Sequence, residues 1–193
     1  MSERIVNVHQ ADYGGKHFRS TLEAQTAKAL DALGIPYQYE EKKIELMEGF
    51  RSPFQKDKVR SITYKPDFEI GSIIIECKGF ETPEWKIKKK LLFKWLQENE
   101  PFTVFYQTHD AQKDVLNALD NHWSYLGFYI ETSSKESRNH PSVTQRFESV
   151  REAMAELKLK NKAIGPILRV LIGDKEYAYN YNWKLKKVTN NGH

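Results

Sequence analysis

The chain has 193 residues, of which 39% are hydrophobic and 29% are charged. This length and composition fit one medium-sized domain, with or without a small appendage, and exclude wholesale disorder. No apolar run is long enough for a membrane-spanning helix, and the first residues lack the apolar stretch of a secretory signal. A single cysteine, Cys77, excludes an intrachain disulfide and a cysteine-based zinc cluster. Together these features predict an intracellular protein.

Charge is divided unevenly along the chain. Residues 1–131 contain 18 basic and 20 acidic side chains, whereas residues 132–193 contain 12 and 6. This division predicts a working domain over 1–131 and a basic tail that prefers polyanions, although basic tails also exist for solubility alone. The polar stretch 132–141 has no apolar periodicity and is predicted to be a linker, which leaves 142–193 as a basic module.

The predicted elements of the first domain mix helices and strands, which indicates an α/β layered architecture. A helix over 20–33 is favoured by the spacing of its apolar residues and by Gly34, which ends it. The basic stretch 47–61 is predicted to be a loop or a ragged hairpin. Thr82 followed by Pro83 marks a helix start, because a capping residue precedes a proline at the first helical position. The other predicted elements are strands over 37–46, 63–70, 72–78, 101–107 and 128–131, and helices over 82–98 and 110–122.

The tail is predicted to contain two short helices and a strand. A helix over 147–157 is capped by Ser149, and a second pattern over 163–172 is interrupted by Gly165 and Pro166. Two short helices joined by a tight turn are typical of a helix-turn-helix. Strict alternation of four aromatic residues then predicts one strand with its rings packed over the helices. These residues are Tyr177, Tyr179, Tyr181 and Trp183.

A predicted buried strand in the first domain ends in two charged residues. Three consecutive isoleucines, residues 73–75, indicate a strand that is covered on both faces. Because side chains alternate along a strand, Glu76 and Lys78 share one face. Asp67 lies on the preceding strand, and a hairpin would bring it across the ladder toward these two groups.

Two carboxylates and a main-chain oxygen form a hard, oxygen-rich site of the kind that suits Mg²⁺ or Mn²⁺. Magnesium usually keeps several waters, so one of them can act as the nucleophile on a phosphodiester. A neighbouring lysine can orient or deprotonate that water, or neutralise developing negative charge. The plain alternative is a surface hairpin with a Glu76–Lys78 salt bridge, which is worth at most about 1 kcal/mol.

Several motifs in this region resemble a known family of nucleases. Pro66-Asp67 followed by Glu76-Cys77-Lys78 matches the PD-(D/E)xK nuclease signature. Residues 16–107 more closely resemble the phage endonuclease I-type enzymes, which are Holliday-junction resolvases and related phage nucleases. The matching segments are Phe18-Arg-Ser-Thr-Leu-Glu23, Gly34-Ile-Pro-Tyr-Gln-Tyr-Glu-Glu41, Tyr64-Lys-Pro-Asp-Phe68 and Glu76-Cys-Lys-Gly-Phe80.

The resemblance implies a restriction-endonuclease-like fold and Mg²⁺-dependent hydrolysis of DNA phosphodiester bonds. It also implies a homodimer, because both strands must be cut, and a phage protein that acts in the cytoplasm of a bacterial host. It assigns Asp67 and Glu76 as metal ligands, Lys78 as the catalytic lysine, and Glu23 as a further acidic ligand. Ser20 and Glu23 also form a capping-box pattern, so a cap and a metal ligand compete; the resemblance favours the ligand.

Several basic residues are candidates for DNA contact. Lys86, Lys90 and Lys94 recur every four residues on the helix after the charged strand, so they form one stripe that could follow a DNA backbone. The stripe could equally be an ordinary solvated face opposite an apolar face that includes Ile87. The remaining candidates in this domain are Lys16 and Arg19 for phosphate contact and Gln107 as a residue that lines the site.

The tail, residues 143–185, resembles the nuclease-associated modular DNA-binding repeat of homing endonucleases. The matching features are Phe147-Glu-Ser-Val-Arg-Glu-Ala and the late Tyr-x-Trp. This resemblance implies DNA contacts by Lys160, Asn161, Lys162 and Arg169. A sequence-reading module serves a site-directed nuclease far more than a junction resolvase.

The leading hypothesis is therefore a DNA endonuclease that uses Mg²⁺, for which Mn²⁺ can substitute, and that carries a DNA-binding tail. Its substrate is either branched DNA, which the first domain favours, or a duplex site chosen by the tail. Two alternatives remain: a non-catalytic DNA-binding protein on a nuclease fold, and a structural protein whose charged strand forms only a salt bridge.

Overall fold

The structure is a computed structural model that describes residues 10–134, 142–160 and 163–189. It is a mixed α/β protein in which none of the helices within these ranges is long and apolar enough to cross a membrane. In chain order the strands are β1 (Ala11–Tyr13), β2 (Lys16–Phe18), β3 (Gln38–Tyr39), β4 (Ile44–Met47), β5 (Ile62–Tyr64), β6 (Phe68–Ile70), β7 (Ile73–Cys77), β8 (Val104–Thr108), β9 (Phe128–Ser134), β10 (Thr144–Phe147) and β11 (Tyr181–Lys187). The helices are α1 (Thr21–Ala32), α2 (Pro83–Asn99), α3 (Ala111–Leu119), α4 (Val150–Glu156) and α5 (Ile164–Leu171).

The chain divides into two compact units. One unit is Pro36–His109, and the other combines the described residues up to Ile35 with those from Asp110 onward. The charged strand predicted from the sequence therefore lies in the first of these units, and α1 lies in the second.

The unit Pro36–His109 is built on a four-stranded mixed sheet in the order β3-β6-β7-β8. β6 is antiparallel to β3 and to β7, whereas β8 is parallel to β7 and follows it in the chain through α2. β4 and β5 form a separate antiparallel pair. The core of this unit joins the sheet to α2 and to this pair through Ile44, Tyr64, Ile74, Trp85, Leu92 and Leu96.

The other unit contains a three-stranded antiparallel sheet in the order β10-β9-β11. α4 contacts β9 and β10, whereas α5 contacts β11 and α3. α1 packs on α3 and on the β1–β2 hairpin.

Asp120 fastens the end of α3 to the start of α4 in this unit. Its carboxylate is almost fully buried and accepts the main-chain N–H groups of Val150 at 2.7 Å and Arg151 at 3.1 Å. It also accepts the indole N–H of Trp123 at 3.1 Å. Because the first N–H groups of a helix have no partner within the helix, Asp120 satisfies two donors that Ser149 does not reach.

Local signals predicted the ends of the long helices correctly. Ser20 caps α1 by accepting the Glu23 N–H at 3.2 Å, and Thr82 caps α2 by accepting the Trp85 N–H at 3.1 Å. Gly34 follows α1 with φ +67°, a left-handed conformation that glycine adopts without strain. These capping predictions are confirmed, since each depends on residues adjacent in the chain.

Two predicted strands of the first domain are each divided in two. The strand predicted over 63–70 separates into β5 and β6, because Pro66 between them has no N–H to donate to a ladder. The strand predicted over 37–46 separates into β3 and β4, with Glu40 at φ +50° between them. The predicted ragged hairpin over 47–61 is the connection between β4 and β5 and contains a β-bridge of its own.

The tail differs more from its prediction. The prediction of a single aromatic strand is wrong, because Tyr179 and its neighbour Asn180 have φ values of +55° and +66° and form a turn before β11. Trp183 is buried, whereas Tyr177 and Tyr179 are exposed. The helix predicted from residue 147 begins at Val150, because Phe147 ends strand β10.

The predicted boundary at residue 131 falls inside β9. Residues 132–134, predicted to open a linker, are paired with β10 on one side and β11 on the other. Residues 135–141 lie outside the described residues. The composition shift at 131 therefore does not mark an end of regular structure, because strand pairing depends on partners distant in the chain.

Candidate active site

Asp67 and Glu76 meet at one end of the β6–β7 hairpin. Phe68 pairs with Ile75, so continuing the antiparallel register by one residue sets Asp67 opposite Glu76. Residues that are directly opposite carry their side chains on the same face of the sheet, with Cβ atoms about 5 Å apart. One Asp67 carboxylate oxygen also accepts the Cys77 N–H at 2.7 Å, which fixes this side chain beside the end of β7.

Glu76 is a buried carboxylate with two identified neighbours. Its side chain is only 5% exposed. One of its oxygens accepts the hydroxyl of Tyr64 at 2.7 Å, and the other lies 3.7 Å from the Lys78 ammonium. A buried carboxylate needs such partners, because its charge loses hydration on folding. The predicted shared face of Glu76 and Lys78 is confirmed by this contact.

Lys78 is held between the buried carboxylate and an aromatic ring. Its ammonium lies 4.8 Å from the centre of the Trp85 ring, within the range of a cation–π interaction. About a third of its side chain remains exposed, so Lys78 is partly open to solvent. The site thus combines a fixed positive charge with two carboxylates at one edge of the sheet.

Tyr64 lies at the end of β5 and stays protonated against Glu76. Burial, reinforced by the nearby Glu76 carboxylate, raises the pKa of the Tyr64 hydroxyl above its usual range. Asp67 contributes to the same shift through its charge, which places all three groups within one electrostatic cluster. Tyr64 therefore remains a hydrogen-bond donor to Glu76 at every physiological pH.

Replacing Tyr64 by phenylalanine is expected to lower the free energy of unfolding by about 1–3 kcal/mol, because a buried carboxylate loses its hydroxyl donor. Chemical denaturation at neutral pH measures this change. Tyr125→Phe, at an exposed tyrosine, is the control and should change the free energy by less than about 0.5 kcal/mol. Equal stabilities of the two variants would contradict the assigned hydrogen bond.

The same variant tests a pH dependence. A group whose pKa is raised in the folded state stabilises the fold fully below its unfolded pKa, about 10 for tyrosine, and loses that contribution as the pH rises further. The wild type should therefore lose more stability above about pH 10 than Tyr64→Phe does. Denaturation curves collected from pH 8 to 11 compare the two slopes.

A glutamine extends this polar row onto the next strand. Gln107 pairs with Glu76 across the parallel β7–β8 ladder. Its carbonyl oxygen accepts the indole N–H of Trp85 at 3.0 Å and the Lys89 ammonium at 3.3 Å. Lys89 also donates to Glu81, and this hydrogen bond lowers the pKa of the Glu81 carboxyl. A hydrogen bond from Gln107 lowers the same pKa by a smaller amount. Gln107 therefore lies beside Glu76 on the adjacent strand, and its place as a residue that lines the site stays a prediction.

The chemistry of this group of side chains fits a hard divalent cation. Asp67 and Glu76 supply two carboxylates, and Asp67 is held beside the main chain at the end of β7. Within the described ranges, no group of three or more His, Cys, Asp or Glu side chains is arranged to hold a metal. A cation here would thus rely on two carboxylates with main-chain and water oxygens, the mixed ligand set that Mg²⁺ commonly takes.

Glu23 caps its own helix. Its carboxylate accepts the Ser20 hydroxyl at 2.7 Å and the Arg19 main-chain N–H at 3.1 Å, and the side chain is buried. These contacts satisfy donors at the start of α1 in the manner of a capping box. The capping role predicted as the alternative is therefore present, and a role for Glu23 as a metal ligand stays a prediction.

Substituting Ser20 with alanine is expected to lower the free energy of unfolding by about 1 kcal/mol, since the first turn of α1 loses its side-chain acceptor. Thermal or urea denaturation measures the change. Gln25→Ala, at an exposed position of the same helix, is the matched control and should have a much smaller effect. A loss no larger than that of the control would show that the cap contributes little.

The predicted DNA-contact residues lie on exposed surface wherever the structure describes them. Along α2 the stripe Lys86, Lys90 and Lys94 is exposed, opposite the buried side chains of that helix. Ile87 is exposed too, contrary to its predicted place on the apolar face. Lys16, Arg19, Lys160 and Arg169 are also exposed, whereas Asn161 and Lys162 lie outside the described residues.

Tyr64 and Trp85 were missed as site residues. In the sequence each occurs in an apolar pattern and reads as core, and both are indeed buried. Their polar atoms nevertheless contact Glu76 and Gln107. The sequence could have indicated them through hydrogen-bonding needs. A buried tyrosine hydroxyl or indole N–H needs an acceptor, and a buried carboxylate on a strand offers one.

Comparisons of the chain with protein-family models, with curated proteins and with solved structures give no match.

Proposed function

We propose that this protein is a Mg²⁺-dependent DNA endonuclease of the PD-(D/E)xK type on a restriction-endonuclease-like core. The observation that carries the proposal is the meeting of Asp67, Glu76 and Lys78 at one edge of a mixed sheet, with the lysine ammonium 3.7 Å from the glutamate. Stability alone does not account for the burial of Glu76. The cost of removing a charged pair from water can exceed the attraction between its two charges, so a buried salt bridge often adds no net stability.

Each residue of the site has a distinct part in phosphodiester hydrolysis. Asp67, Glu76 and a main-chain carbonyl would hold Mg²⁺, which activates water and stabilises negative charge when bound. Lys78, whose side chain is partly exposed, can neutralise charge developing on the phosphate oxygens or exchange a proton with the attacking water. Tyr64 fixes one oxygen of Glu76, and Trp85 limits the positions that the lysine can take.

DNA is the substrate that the surrounding charge favours. A carboxylate pair repels a phosphodiester unless cations balance it, and the exposed Lys86, Lys90 and Lys94 on α2 supply positive charge in the same unit. The exposed Lys160 and Arg169 of the basic tail supply more. The protein would act as a homodimer, since two strands must be cut, and would work inside a bacterial cell.

A second candidate function is DNA binding without cleavage. The basic tail alone supports it, because twelve basic side chains over residues 132–193 attract a polyanion whether or not the site is active. The intact set of Asp67, Glu76 and Lys78 favours the enzyme.

Incubation with Mg²⁺ and DNA tests the proposal. The substrates are a four-way junction and linear duplexes of varied sequence, and the controls are EDTA and the Asp67→Ala variant. The wild type should cut at least one substrate, and both controls should abolish cutting. Preference for the junction would identify a resolvase, whereas cutting at one duplex site would identify a site-directed nuclease. No cutting of any substrate, or normal cutting by Asp67→Ala, would contradict the enzyme.

A further inference from the structure

The connection between β4 and β5, residues 48–61, is an arm with internal main-chain pairing rather than an irregular loop. Phe50 and Val59 exchange main-chain hydrogen bonds of 3.0 and 2.8 Å across it. Next to this bridge, at the base of the arm, its two sides approach so closely that a Cβ on Gly49 would lie 2.9 Å from the Ser61 main-chain nitrogen. The tip is turned by a hydrogen bond of 3.2 Å from the Phe54 N–H to the Ser52 hydroxyl.

The tip of the arm presents an aromatic ring to solvent. Phe54 is 95% exposed, and Phe50 at the bridge is half exposed. Such exposure gains nothing in folding, because the hydrophobic effect rewards only area removed from water. A single exposed apolar residue needs no explanation, but this arm carries two exposed rings, Phe50 and Phe54.

Basic residues flank the exposed ring along the chain. Four basic side chains in the arm are all exposed, and the arm holds only two acidic residues, Glu48 and Asp57. The basic residues are Arg51, Lys56, Lys58 and Arg60. An excess of positive charge around an apolar wedge is complementary to nucleic acid, which offers phosphates on its outside and stacked base faces within.

We propose that this arm binds DNA, with its cations on the phosphates and the Phe54 ring inserted between bases. Apolar side chains that enter a base step partly unstack it, and contact with the exposed base face compensates for the lost stacking. The inference rests on the proposed function only in naming DNA as the ligand, and no step of it requires cleavage.

The arm is connected directly to the candidate active site. β5 leads from the arm to Tyr64, which donates to Glu76. Tyr64 lies ten positions beyond Phe54, so the tip is at most about 35 Å along the chain from this tyrosine. That reach corresponds to about ten base pairs at about 3.4 Å each, so the ring would contact DNA within about one helical turn of the candidate active site.

Insertion favours DNA that is already unstacked. Opening a base step in an intact duplex requires several kcal/mol, and the requirement is smallest where bases are mismatched, unpaired or at a branch. The arm is therefore expected to bind a branched substrate in preference to a linear duplex.

The test measures binding in EDTA, so that cleavage plays no part. The probes are a labelled four-way junction and a linear duplex of equal length, each with 2-aminopurine at successive steps to report unstacking. Phe54→Ala should weaken junction binding about tenfold and remove the rise in 2-aminopurine fluorescence. The matched control is Phe102→Ala, since Phe102 is also almost fully exposed but follows the acidic residue Glu100. It should bind within twofold of the wild type.

A second variant tests the cations. Replacing Lys56, Lys58 and Arg60 together by glutamine should lower the slope of log affinity against log salt by about two to three, because up to three phosphate contacts are lost. Lys28→Gln, an exposed lysine on α1, is the control and should leave the slope unchanged.

Three results would overturn the inference. The first is that the wild type does not bind DNA. The second is that Phe54→Ala leaves both binding and fluorescence unchanged. The third is that Phe54→Ala loses dimers on sedimentation but binds DNA normally, which would make the arm a contact between copies of the protein. Failure of the proposed function is distinguishable: arm-dependent binding by a wild type that cuts no DNA with Mg²⁺ would support the arm and contradict the nuclease.

Discussion

Lys78→Met is expected to lower the rate of DNA cleavage by about 10²–10⁴-fold while leaving DNA affinity nearly unchanged. Methionine retains an apolar side chain of similar length but removes the ammonium that lies beside Glu76 and over the Trp85 ring. Loss of a positioned acid–base group or of a charge that stabilises the transition state has effects of this size. Single-turnover cleavage at saturating Mg²⁺ measures the rate, and binding in EDTA measures the affinity.

Lys42→Met is the matched control for this experiment. Lys42 is also an ion-paired lysine of the same unit, 2.6 Å from Glu100 and 3.5 Å from Glu69, but its partners do not include Asp67 or Glu76. It should leave the rate within a few-fold of the wild type. Similar rates for Lys42→Met and Lys78→Met would indicate that the charge near Glu76 has no special part in the reaction.

Asp120→Ala is expected to have the largest effect on stability, lowering the free energy of unfolding by about 3 kcal/mol. The substitution leaves the N–H groups of Val150, Arg151 and Trp123 without their buried acceptor. Each buried donor left without a partner costs about 1–3 kcal/mol, and the effects at one site are not additive. For a chain of this size the melting temperature should fall by about 6–12 °C.

Two comparisons separate this anchoring role from a general effect of charge. Asp120→Asn retains a carbonyl acceptor and should lose less stability than Asp120→Ala. Asp174→Ala removes an exposed carboxylate that lies 4.0 Å from Arg169, and it should change the free energy by less than about 1 kcal/mol. If Asp120→Ala were as stable as Asp174→Ala, the anchor between α3 and α4 would be refuted.

The sequence determined those features of the protein that depend on neighbouring residues. Ser20 and Thr82 marked the starts of α1 and α2, because a capping side chain bonds to an N–H only three residues away. Three isoleucines in succession marked β7 as buried on both faces. Alternation along this strand also predicted that Glu76 and Lys78 share a face.

The contacts that complete the candidate site were decided only by tertiary structure. Tyr64 and Trp85 carry polar atoms that could have bonded to many acceptors, and only the packing of β5 and α2 against β7 and β8 brings them to Glu76 and Gln107. The tail shows the same limit, since β9 pairs with strands that begin 10 and 47 residues beyond its end. A composition shift cannot report such pairing, because the energy of a strand ladder lies between segments that are distant in the chain.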